Sequence, residues 1–157
     1  MPDITFTELT SPEEIERALA IRLAVFVDEQ KVAEELELDG LDDGARHLLA
    51  AVDGEPAGTL RIRFLEDGRI AKIERVAVLP EHRRYKVGHA LMHAGLNLAR
   101  EAGAREVLLH AQTVVQAFYA KLGFVAHGDP FTEDGILHIA MRLPLSAAKP
   151  SSQTASA

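Results

Sequence analysis

The stretch Arg75–Met92, RVAVLPEHRRYKVGHALM, decides the fold. It reads as an apolar strand, a Pro-Glu break, a compact basic turn and a helix beginning near Gly88. A strand that delivers backbone to such a turn leaves free N–H groups and the positive end of a helix facing one space, where a phosphate binds. Arg83, Arg84 and Lys86 lie in the turn, with His82 and His89 beside it, while the whole chain has a formal net charge of −7. Local charge opposes global charge, and that inversion points to a phosphate-bearing ligand.

Upstream, the strand extends back to Ile70. Two earlier apolar runs, His47–Val52 and Ala57–Phe64, flank Asp53-Gly54-Glu55-Pro56 as the arms of a hairpin do. Residues 3–9 alternate as a short strand. Ser11-Pro12-Glu13-Glu14 then predicts a helix start, with Ser11 as N-cap, Pro12 at N1 and Glu14 closing a capping box. Ile15, Leu19, Leu23 and Phe26 carry that helix to Asp28 or Glu29, and the carboxylate-rich KVAEELELDGLDDGAR (31–46) follows as a loop or short helical turn. Downstream, Leu91, Leu96, Leu98 and Ala99 carry a helix to the stop at Gly103. Val107–Ala111 is a buried strand, Thr113–Leu122 a short helix, and Ile136–Leu143 the closing strand, with turns at Gly128-Asp129-Pro130 and Glu133-Asp134-Gly135. Strands outnumber helices and hairpins dominate, which predicts a mixed α+β class.

At 157 residues the chain is expected to form one domain over residues 1–145. The remainder, 146–157, is a polar, small-residue tail expected to be disordered. There is no cysteine, which excludes a disulfide framework, a thiolate nucleophile and Cys-ligated zinc, and fits a reducing compartment. The start, MPDITFTELTSPEE, lacks the features of a signal peptide, and no apolar run approaches the roughly 18 residues of a membrane span, so a cytoplasmic protein with no membrane partner is expected. The acidic balance argues against duplex nucleic acid as a partner and suits a cationic substrate.

Four segments, in order, resemble the GNAT acyltransferase superfamily and within it the ElaA-like (YjcF-like) group. They are IRLAVFVDEQ (21–30), ARHLLA (45–50), IERVAVLPEHRRYKVGHALM (73–92), and LLHAQTVVQAFYAKLGF (108–124) followed by FTEDGILHIAM (131–141). The resemblance implies a central twisted, mostly antiparallel sheet splayed between its fourth and fifth strands and flanked by about four helices. It also implies acetyl-CoA as acyl donor and no metal. The pantetheine would lie in the splay beside the backbone of Val76, Ala77 and Val78. The pyrophosphate would rest on Arg83, Arg84 and Lys86 and on the first helical residues Val87, Gly88, His89 and Ala90, with Gln116 and Tyr119 completing the donor site. One departure stands out: Lys86 occupies a place where the superfamily usually has glycine, and lysine takes positive φ less readily. Its ammonium is nonetheless placed to bind a phosphate.

Serine occurs only at 11, 146, 151, 152 and 156, so the body of the fold offers no Ser or Cys nucleophile. Direct attack by a small-molecule or peptidic primary amine in a ternary complex is therefore expected. Tyr119 matches the tyrosine that protonates the departing thiolate in many GNAT enzymes; the competing reading is a tyrosine packed at a helix end. Glu74 is the leading candidate base, on the strand bordering the thioester. A glutamate near pKa 4.3 taking a proton from an amine near 10.4 is, however, uphill by about six units, roughly 8 kcal/mol. The competing reading pairs Glu74 with Arg75, Lys72 or Arg61 across the sheet. His110 and His138 match histidines of the ElaA-like group, as acceptor-site residues or as an alternative base, since histidine titrates near 6.5. They also read as core histidines satisfied by backbone, and His47 has the same ambiguity. Arg22, Glu29 and Gln30, in the first matching segment, are candidates for the acceptor side, where the acidic loop would steer a cationic amine. His89 and His93 sit at i and i+4, but Ala90 replaces the glutamate of an HExxH motif, so no metal is expected. The expected activity is acyl-CoA-dependent N-acetyl transfer; the alternative is a non-catalytic acyl-CoA-binding or sensory module. Monomer and homodimer are equally compatible with the sequence.

Overall fold

The computed structural model describes residues 2–146. The expected disordered tail lies, from residue 147 on, outside them. Among the described residues seven strands form one sheet in the order β1-β2-β3-β4-β5-β7-β6. The strands are β1 (Ile4–Leu9), β2 (Arg46–Val52), β3 (Glu55–Leu65), β4 (Ile70–Val78), β5 (Glu106–Gln112), β6 (Val125–Glu133) and β7 (Ile136–Pro144). Every neighbouring pair is antiparallel except β4 and β5. The helices are α1 (Pro12–Arg22), α2 (Glu34–Glu37), α3 (Val87–Glu101) and α4 (Gln116–Lys121), with a π-helical segment at Leu23–Glu29. The mixed, mostly antiparallel sheet expected from the sequence is the sheet that forms.

Local chemistry explains most boundaries. Ser11 caps α1 by accepting from the Glu14 N–H at 3.2 Å, and Glu14 accepts from the Ser11 N–H at 3.1 Å. The α-helix then stops at Arg22, short of the expected Asp28 or Glu29, and the chain continues with π geometry. The Gln30 N–H reaches back five residues to the Val25 carbonyl at 3.0 Å. This wider turn rotates the apolar stripe. Val25 is buried in a small core with Leu9, Ala18, Ile21, Leu49 and Ala77, Phe26 packs against that core, and Val25, Phe26, Glu29 and Gln30 all reach the cavity described below.

The expected turn at Gly128-Asp129-Pro130 is instead an irregularity inside β6, where the register breaks between His127 and Phe131. Proline has no ladder donor, and β6 is an edge strand, the place a sheet tolerates it. The main core lies between α3 and the sheet, with Leu91, Met92 and Leu96 against Leu60, Ile62, Ile73 and Val107. Gly95 permits this approach: a Cβ there would stand 2.9 Å from the Leu60 Cδ2.

On β4, Arg75 and Val76 together oppose the single residue Leu60, a bulge in which Arg75 takes φ 57°. The bulge bends the second half of β4.

Candidate active site

β4 and β5 pair only at Ile70–Glu106, Ala71–Val107 and Lys72–Leu108. Beyond Lys72 each strand follows its other neighbour: β4 stays on β3 to Val78, and β5 stays on β7 to Gln112. They diverge, and among the described residues the β5-facing backbone of residues 73–78 has no strand partner. The gap opens into a cavity of ≈ 860 Å³. Leu109 and Ala111 belong to the α3-side core, so by strand alternation His110 and Gln112 face the opposite side of the sheet. The cavity therefore joins the two faces, with the basic turn and Tyr119 on the α3 side and His110 on the other.

At the basic turn, Pro80–Tyr85 forms a 3₁₀ helix, and Lys86 adopts the left-handed conformation, φ 58° and ψ 33°, at the N-cap of α3. The first backbone bond of α3 runs from the Ala90 N–H to the Lys86 carbonyl. The N–H groups of Val87, Gly88 and His89 precede it and are free for an anion at the positive end of a fifteen-residue helix. Lys86 and Lys121 also face the cavity. This donor set fits a pyrophosphate. Arg83 is less free than its place in the turn suggested, because it donates to the Val78 carbonyl at 2.9 Å and forms a two-pronged pair with Glu29 at 2.9 and 2.7 Å. Arg84 projects away over the Tyr85 ring, 5.0 Å from its centroid, and is not in the cavity wall. Val87 buries its side chain in the core, and the side chains of Ala90 and Gln116 are not in the wall either, so Val87 and Ala90 have only backbone to offer.

On the far side, Glu74 lines the cavity but is tied down. Arg61 reaches it at 3.1 and 2.8 Å, Arg63 at 2.8 and 3.0 Å, and Lys72 at 3.2 Å. Burial by itself would raise its carboxyl, but the Arg63 hydrogen bonds and the charges of Arg61, Lys72 and Arg63 pull it down to about 2. A carboxylate held this way is a poor proton acceptor at neutral pH. The competing reading of Glu74 as a paired strand carboxylate describes what forms.

His110 has the geometry that Glu74 lacks. Its Nδ1 meets the Glu133 carboxylate at 2.9 Å, and that hydrogen bond lowers the Glu133 carboxyl, so the ionised oxygen accepts and Nδ1 donates. The same ring lines the cavity. His138 lies nearby, its Nδ1 2.7 Å from the Ile136 carbonyl; a carbonyl only accepts, so here too Nδ1 carries the proton. Phe131 sits between them, edge-on to His110 at 5.0 Å and stacked on His138 at 6.2 Å. Tyr119 is buried against Phe118 and Phe124, and burial pushes its hydroxyl up to about 12.

The acetyltransferase (GNAT) domain family matches residues 7–145. This chain belongs to the GNAT family. It is 37% identical over 130 residues to an uncharacterized N-acetyltransferase, YjcF, of Bacillus subtilis, covering 82% of this chain and 91% of that protein. Among solved structures, an acyl-CoA N-acyltransferase of Pseudomonas aeruginosa aligns with TM-score 0.76 at 34% identity, covering 90% of this chain and 99% of that one. Escherichia coli ElaA aligns with TM-score 0.77 at 32% identity, covering 89% and 99%. The GNAT family uses acetyl-CoA as its acyl donor.

Within this GNAT fold, Val76, Ala77, Val78, Arg83, Lys86, Gly88, His89, Tyr119, Glu74, His110, Glu29, Gln30 and His138 line the cavity. Arg22 and His47 do not. Arg22 is 1% exposed and clamped by Glu37 and Asp42, and His47 is buried with Nε2 3.0 Å from the Asp42 carbonyl. Both anchor the acidic segment and cannot touch an acceptor. Within that segment Glu37, Asp39 and Asp42 are bound by Arg22, Arg61 and Arg75, while Glu34, Glu35 and Asp43 are exposed. The π-helical segment is strapped across the cavity by Glu29–Arg83 and by Gln112, which donates to the Gln30 side-chain carbonyl at 2.9 Å. Glu133, Lys72, Gln112 and Lys121 were not anticipated. Glu133 and Lys121 do lie inside the quoted segments EDGILH and AFYAKLGF, the signal that could have singled them out.

Proposed function

We propose that this GNAT protein transfers an acetyl group from acetyl-CoA to a primary amine by direct attack in a ternary complex. The observation that carries the reading is the through-sheet cavity, with free helix-terminal N–H groups at one end and the His110–Glu133 pair at the other. Bound acetyl-CoA would supply an activated thioester. His110 Nε2 takes the proton from the attacking nitrogen as the N–C bond forms and the C–S bond breaks, and Glu133 holds the ring in the required tautomer. The unpaired N–H groups of β4 near Val76 are available to the thioester oxygen.

Tyr119 lines the cavity as a neutral phenol. With its hydroxyl at about 12, full proton transfer to a thiolate near 8.5 is uphill by about 5 kcal/mol. Tyr119 therefore steadies the departing sulfur by donating a hydrogen bond and keeps its proton during C–S cleavage. Tyr119→Phe is expected to lower kcat about 10- to 100-fold, the worth of a hydrogen bond to a charged group, with acetyl-CoA affinity unchanged in calorimetry.

Lys86→Gly tests the donor end. Glycine removes the penalty of a left-handed non-glycine residue, so urea unfolding should show a gain of about 1 kcal/mol. Loss of the ammonium should weaken acetyl-CoA about tenfold. Unchanged affinity would free Lys86 of any phosphate contact.

The direct test mixes acetyl-CoA with pooled primary amines and follows thiol release together with the acetylated product by mass. Release with a product mass shift is the expected result. Binding of acetyl-CoA without release above background hydrolysis would favour a non-catalytic acyl-CoA module.

A further inference from the structure

We propose that the acceptor is an amine of the amino-acid class, carrying a carboxylate close to its nucleophilic nitrogen, and that Lys72 receives that carboxylate. The proposal rests on the acetyl-transfer reading above and names the substrate of the same site.

Lys72 is the cation the fold does not need. Glu74 already takes four hydrogen bonds from the guanidinium groups of Arg61 and Arg63. Lys72 adds only an ion contact at 3.2 Å, and its side chain is 16% exposed in the cavity wall. In the ion-pair network around it, Glu37, Asp39, Asp42 and Glu74 are each bound by at least two of the arginines Arg22, Arg61, Arg63 and Arg75 without Lys72. Each of the four arginines is held by one or more hydrogen bonds. The ammonium is the mobile member, on a flexible stem, and it can turn from Glu74 to a ligand anion without leaving a buried carboxylate unpaired.

Its distance from the reacting nitrogen suits this class. Lys72 pairs with Leu108 at the last register before the splay, and His110 lies two residues further along β5 on the same face. Strand rise and spacing put the two Cα atoms about 8 Å apart. Lys72 is also close enough to act on the Glu133 charge, and Glu133 is the partner of His110. A molecule whose amine sits at His110 Nε2 therefore has Lys72 within a few bonds' reach. Asp134, at the tip of the β6–β7 turn, lines the same end and suits the ammonium form in which such an amine arrives.

The test measures acetylation of amino acids, of the corresponding amino-acid amides, and of diamines, alongside binding of the same panel to the CoA complex by calorimetry. Amino acids should exceed their amides at least tenfold in both kcat/KM and affinity. In Lys72→Met the acid-to-amide ratio should collapse toward one through KM, with the KM for acetyl-CoA unchanged, and Lys72→Arg should restore part of it. Equal treatment of acids and amides, preference for diamines, or an unchanged ratio in Lys72→Met overturns the proposal. If no amine is acetylated, the transfer reading fails, and the binding ratio still decides the carboxylate.

Discussion

Replacement of Arg61 by methionine is expected to remove about 2–3 kcal/mol of folding stability, because three part-buried carboxylates lose the guanidinium they share while each keeps a second cation. Arg61 is 1% exposed and binds Asp39 at 2.9 Å, Asp42 at 2.9 Å and Glu74 at 2.8 Å. The urea midpoint of the variant should drop with little change in slope. The acid side of the stability curve gives an independent reading. In the native protein Glu74 is pulled down to about 2, and Asp39 and Asp42 are also lowered; burial opposes each shift, and the arginine hydrogen bonds overcome it. Groups lowered on folding contribute stability that is fully present above their ordinary pKa and is lost as pH falls through the folded value. Stability should therefore hold from neutral pH to about 4.5 and fall steeply toward 2. Glu37, pushed up by burial, works in the opposite sense, adding stability as pH falls through its raised value, above the window of the lowered carboxyls. In Arg61→Met the fall should begin at the same pH but be smaller and end at higher pH, because the folded values of these carboxyls move back toward their ordinary ones. Arg46→Met, which breaks the half-exposed pair with Glu8, should cost under about 1 kcal/mol and serves as the control.

His110→Gln is expected to lower kcat by about 10²- to 10⁴-fold, the usual worth of a positioned general base, while acetyl-CoA affinity stays constant. The loss should fall on kcat, because the ring faces the acceptor side of the sheet and not the helix-terminal N–H groups that suit the donor. Glu74→Gln separates the two candidate bases. Glu74 is bound by three cations, so its replacement should register chiefly in the urea midpoint and leave the acid limb of the pH–rate profile in place. A flattened acid limb in Glu74→Gln, with that limb intact in His110→Gln, would return the role to Glu74.

Local signals were legible in the sequence wherever one short stretch contains both partners of an interaction. Ser11 and Glu14 cap each other within one turn, and β4 runs from Ile70 to Val78 as its apolar pattern required. The basic turn and the start of α3 are equally local. Proline in β6 misled, because its meaning depends on whether the strand lies at an edge, and strand order is not a local property. The π-helical segment also escaped: its apolar spacing continues that of α1, and only packing against the core around Ala77 and the cavity distinguishes it.

The candidate site divides in the same way. The segments AFYAKLGF and EDGILH, with the basic turn, were enough to name the superfamily, because each signal lies within one short stretch. The state of each charged group was not readable. Arg61 meets Asp39 across 22 residues, and His110 meets Glu133 across 23 with β7 between their strands. A carboxylate's readiness to take a proton depends on which cations surround it and on how much water is excluded. The sequence by itself determined the scaffold and the family to which it belongs. Tertiary structure alone decided that Glu74 is locked, that His110 is oriented and that Lys72 is left over, because burial and ion pairing are set by strand register.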